Sequence, residues 1–108
     1  MKKYILTAFS LPVEDEEAAY NKWYDEVHFE DLLLIPGLKT AQRFKPQKTE
    51  GSVKNPYLSI YEIETEDIAK VMQSMQDRSH EMYISPALDI SSIRIQVYEV
   101  LGDKQVSK

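Results

Sequence analysis

The chain has 108 residues, 43% of them hydrophobic and 29% charged, enough for one buried core and not for two. Thirteen basic residues stand against eighteen acidic ones for a net charge of -5, with no Lys/Arg run, which argues against a nucleic-acid partner. Cysteine is absent, so disulfides, thiolate metal sites and Cys nucleophiles are excluded, as expected for a reducing cytoplasm.

The opening "MKKYILTAFSLP" has two lysines before an apolar stretch. The stretch is short, broken by Thr7 and Ser10 and followed by acids, so it reads as a first strand over 4–11 ended by Pro12 rather than as a signal peptide. No apolar run reaches the roughly 20 residues of a membrane span. Residues 14–34 predict a helix with acids in its first turn, stopped by Pro36-Gly37. A second strand follows over 38–45, a polar connector over 46–56 and a third strand over 57–64.

Thr65 stands where an N-cap belongs, ahead of Ile68, Val71, Met72 and Met75, which share one face of an amphipathic helix. The alternation of "SIRIQVYEVL" makes a fourth strand over 92–101, and the last seven residues read as a frayed tail. The order β-α-β-β-α-β predicts an α+β, ferredoxin-like domain spanning 1–108, a four-stranded antiparallel sheet with both helices on one face. Neither face of the third and fourth strands is cleanly polar. The open face is therefore expected to pack on a second copy, making a homodimer.

An ideal wheel through the first helix puts Ala19, Trp23, Val27 and Leu34 in one stripe flanked by Tyr20 and Tyr24. His28 falls at its edge, Asn21 and Asp25 toward solvent, Glu26, Phe29 and Leu33 on the opposite flank, and Asp31 inside the stripe. A boundary imidazole beside a carboxylate can move protons near pH 7, and Tyr24 or Tyr61 can donate to an enolate oxygen. The plainer alternative is that His28 is a satisfied half-buried residue, Trp23 and Tyr24 are core, and Met72 and Met75 fill it. Asp25 with His28 lacks a third metal ligand nearby. Arg43 reads equally as an anchor for an anionic group or as a strand arginine paired with Glu62.

The residues Asn21, Trp23, Tyr24, Asp25, Glu26, His28, Asp31, Leu32, Leu33, Pro36, Gly37, Ala41, Arg43 and Phe44 form a pattern that resembles the EthD-type branch of the dimeric α+β barrel proteins, named for ethyl tert-butyl ether degradation. The likeness covers residues 4–64 well and the second half by element order. It implies ferredoxin-like subunits whose sheets pack into a barrel across a dimer, with pockets between helices and sheet. Relatives include cofactor-free monooxygenases, polyketide cyclases, lactone isomerases and haem-degrading enzymes. They often carry Pro two residues after the His, where this chain has Glu30.

The expected function is binding of a small apolar or aromatic ligand in a cytoplasmic dimer, away from membranes. If there is chemistry, it is proton transfer without metal or cofactor. In it His28 would be the base, Asp31 its orienting acid, Tyr24 a donor, and Trp23, Arg43 and Tyr61 would contact ligand. A non-catalytic, stress-associated dimer with a structural helix motif is the alternative, and haem handling a third.

Overall fold

Apolar side chains two apart on β1 (Lys2–Pro12) set the sheet's buried side: Tyr4, Leu6 and Ala8 are buried there together with Ser10. The computed structural model describes residues 1–47 and 55–108, so most of the expected connector lies outside the described residues. β2 (Leu38–Phe44), β3 (Tyr57–Thr65) and β4 (Leu88–Glu99) complete one antiparallel sheet in the order β2-β3-β1-β4. That is the split βαβ arrangement expected from the sequence. β1 pairs with β3 from Lys2↔Thr65 to Ser10↔Tyr57 without a break, which places Tyr57, Ser59, Tyr61 and Ile63 on the buried side. β4 begins four residues before the predicted Ser92 and ends at Glu99; a register shift between Phe9 and Leu11 accommodates its added start.

A similar irregularity lies in β2. Leu38 faces Ile63 and Thr40 faces Glu62, so one extra residue sits at Lys39. Beyond this bulge Ala41 faces Tyr61 and Arg43 faces Ser59, on the helix side of the sheet. Glu62 points the other way and accepts from the Thr40 hydroxyl at 2.6 Å, which overturns the Arg43–Glu62 pair.

The first helical run is not uniform. It comprises α1 (Glu17–Trp23), a π-helical turn (Tyr24–His28) and α2 (Phe29–Leu32). A π turn holds one residue more than an α turn, so every side chain after it rotates back by about 100°. The wheel therefore fails beyond position 26, and by one place. Val27 and Leu34, assigned to the stripe, are 36% and 66% exposed, whereas Leu32 and Ile35 are buried. Asp31 moves out of the apolar stripe, Leu32 takes the buried place, and Phe29 packs against both core clusters. Leu33 and Leu34 lie in the turn after the helix. Ala19 is exposed as well, because the buried face is centred on Tyr20, Trp23 and Tyr24.

Gly37 turns the chain from this helix into β2 at a φ of 102°, and a Cβ there would stand 3.0 Å from Val71 Cγ2. α3 (Ile68–Ser79) starts two residues later than a Thr65 cap requires. The Asp67 carboxylate caps it, accepting from the Lys70 N–H at 3.2 Å, while Thr65 Oγ1 accepts from the Asp67 N–H at 3.1 Å. Val71 is buried, and Ile68, Met72 and Met75 pack around it as the periodicity predicts.

Candidate functional site

The extra residue of the π turn brings His28 under Trp23. On an α-helix residues five apart lie about 140° from each other. Here the imidazole and indole stack at 4.5 Å and 25°, and Tyr24 meets the imidazole edge-on at 5.1 Å. The indole N–H donates to the Tyr83 carbonyl at 2.9 Å, tying the helix to the segment after α3. The His28 Nδ1 is buried with no hydrogen-bond partner among the described residues. Loss of solvation lowers its pKa from 6.5 to about 4, against a smaller upward pull from the Asp31 charge. The imidazole is thus neutral at pH 7. Asp31 provides no partner to the buried Nδ1 and acts on the ring only through its field.

Trp23, Tyr24, His28 and Tyr61 line one cavity of about 370 Å³ between the helices and β1 and β4. Its remaining wall is apolar: Leu32 from α2, Met82 and Ile84 after α3, and Leu88, Ile90, Ile93 and Ile95 from β4. Ser10 and Ser79 also reach it, but their hydroxyls are in contact elsewhere, with the Tyr20 hydroxyl at 2.6 Å and the Gln76 carbonyl at 2.6 Å. Burial raises the Tyr61 phenol, with the nearby Tyr24 adding to it, so Tyr61 keeps its proton. Ile93 and Ile95 fall within the predicted fourth strand, whereas Leu88 and Ile90 precede its predicted start at Ser92. The apolar spacing of Leu88 and Ile90 was the signal for the earlier start.

Arg43 does not line this cavity. Its guanidinium lies 4.7 Å from the Tyr24 ring centre, 5.2 Å from Tyr57 and 5.4 Å from Tyr20. Its Nη2 donates to Asn21 Oδ1 at 2.7 Å and its Nη1 to Asp25 Oδ1 at 3.1 Å. Asn21 and Asp25, assigned to solvent by the wheel, are thus the helix's hold on β2. Asp25 turns to Arg43 rather than to His28. Among the described residues no group of three or more His, Asp or Glu is placed to hold a metal ion. No helix among them is long and apolar enough to cross a membrane.

No family model matches the sequence, and no curated protein is similar to it. Solved structures are. An EthD family protein of Bacillus halodurans C-125 superposes with a TM-score of 0.62 at 15% identity, over 94% of this chain and 100% of that one. The fold of the chain is that of the EthD-type proteins. Two others share this fold. The haem degrader MhuD of Mycobacterium tuberculosis, solved with two haems in its active site, gives 0.60 at 15% identity over 95% and 99% of the two chains. SnoaB, a cofactor-independent oxygenase of Streptomyces nogalater, gives 0.56 at 8% identity over 99% and 98%. Such different chemistries on one EthD-type fold leave function to be argued from the site.

Proposed function

We propose that the protein binds a small apolar molecule, aromatic or alicyclic, in the cavity walled by His28, Trp23, Tyr24 and Tyr61. The observation that carries this reading is a mainly apolar cavity without a charged side chain, into which a neutral imidazole and the Tyr24 and Tyr61 rings are set. The polar groups of a binding cavity orient the ligand and its apolar wall supplies most of the affinity. Tyr24 and Tyr61 are donors toward the ligand and Trp23 is its stacking wall.

The molecule works as a homodimer. Ile5, Phe9, Phe44, Leu58, Ile60 and Tyr98 share the sheet face turned away from the helices, an apolar surface suited to a second copy. Sedimentation tests this: the chain runs as a dimer, and Phe44→Asp together with Tyr98→Asp runs as a monomer.

Proton transfer is the second reading, favoured by the same neutral imidazole. His28 accepts a proton from an acidic C–H or O–H of the ligand while Tyr24 or Tyr61 donates to the oxygen that gains charge. A base with a pKa of about 4 has little driving force at pH 7, so this second reading needs an unusually acidic ligand. NMR with a library of apolar fragments decides the first reading. Binding shifts the Trp23 indole and His28 imidazole resonances together, and a library that moves neither overturns it.

A further inference from the structure

We infer that this cavity takes an uncharged ligand whose single polar group is a hydroxyl held by His28, and that it rejects carboxylates. That choice of ligand rests on the cavity being a ligand site. Its wall contains no Lys, Arg, Asp or Glu. Arg43, the cation closest in character to an anion anchor, is occupied by Asn21 and Asp25 behind the ring of Tyr24. An ionised carboxylate entering here would lose its water and meet neither a cation nor a helix end, a cost apolar contacts do not offset.

A hydroxyl is the group that fits. The Ser10 and Ser79 hydroxyls are in short contacts within the protein, whereas the imidazole is held by ring contacts alone and its Nδ1 has no partner among the described residues. Neutral imidazole offers one donor and one acceptor nitrogen; Nδ1 is enclosed by protein, so a hydroxyl meets the ring at Nε2. The rest of the ligand lies against Ile90, Ile93 and Ile95, branched side chains that give a rigid aliphatic wall. At about 370 Å³ the space is near the lower end of small-molecule sites, about 300–1,000 Å³, which suits a fused bicyclic compound.

The probes are decahydronaphthol and decahydronaphthoate, saturated bicyclics that do not absorb where Trp23, the sole tryptophan, does. Each is titrated into the native protein at pH 7.5 and followed by Trp23 emission, with calorimetry as the second readout. The alcohol is expected to saturate and the carboxylate to bind at least about 100-fold more weakly, a difference of two factors of ten. In His28→Leu the alcohol loses about 10-fold and the carboxylate is unchanged. Equal binding of the two probes, or tighter binding of the carboxylate, overturns the inference and leaves the cavity a ligand site. An alcohol that binds His28→Leu as well as it binds the native chain overturns the hydroxyl's partner. If neither probe binds while apolar fragments still move the Trp23 resonance, the alcohol class is wrong; if nothing binds, the ligand site itself is.

Discussion

Two basic side chains lie between the same helix and sheet, 15 residues apart, and they live in opposite conditions. Arg43 is charged, ringed by three tyrosines, and bonded at both terminal nitrogens to Asn21 and Asp25. His28 is neutral, stacked on Trp23, and makes no hydrogen bond through its buried nitrogen. The first has committed both terminal nitrogens to holding helix on sheet, and only its Nε, buried like His28 Nδ1, has no partner among the described residues. The second keeps its capacity for something else. The sequence offers both as site residues; the partners separate them.

The largest test of this contrast is pH. His28 has a folded pKa of about 4 against 6.5 when exposed, so the unfolded chain takes up its proton first as pH falls. Its contribution is constant above about pH 6.5, and about 3 kcal/mol of stability is lost between there and pH 4. Urea unfolding at several pH values measures it, and His28→Leu should flatten that part of the profile. A native chain with an already flat profile would mean that the imidazole is solvated.

Arg43→Ala comes next, at about 2–3 kcal/mol. The desolvated cation–ring contacts and the Asn21 bond supply this, while Asp25, 61% exposed, adds little through its charge. At pH 7, His28→Leu should by contrast change stability by less than about 1 kcal/mol, because an apolar group replaces an unpartnered polar one. Should the two substitutions cost the same by chemical denaturation, the division between a clamp and a free group fails. The smallest effect belongs to Asp31→Asn. Stability should stay within about 0.5 kcal/mol, and removing the negative charge should push the His28 titration, read by Trp23 emission, below its native midpoint near 4.

The fold was legible because the β-branched and aromatic content of Tyr57 to Glu64, the alternation after Ser92 and the Ile68–Met75 stripe each mark a regular element. What was missed came from single added residues. The π turn carries His28 under Trp23 and turns Asp31 out of the apolar stripe; the bulge at Lys39 carries Arg43 to the helix side. Neither insertion disturbs composition or turn chemistry, so no periodic reading detects it. A pairing such as Trp23 with His28, five apart, belongs to no regular helix and is visible only once the backbone is known. The cap was missed for another reason: Thr65 and Asp67 both suit an N-cap, and Thr65 is spent at the end of β3.

The π turn also has a meaning for descent. A helix that gains one residue and absorbs it in a single wide turn keeps both of its ends in phase with the sheet. A relative lacking one residue between Trp23 and Phe29 would bury the same faces in an unbroken α-helix. Aligned without a gap, its residue opposite Asp31 would be the counterpart of Leu32. Motif comparisons that run straight through this segment would then pair a carboxylate with a core position, and faint kinship would look fainter than it is.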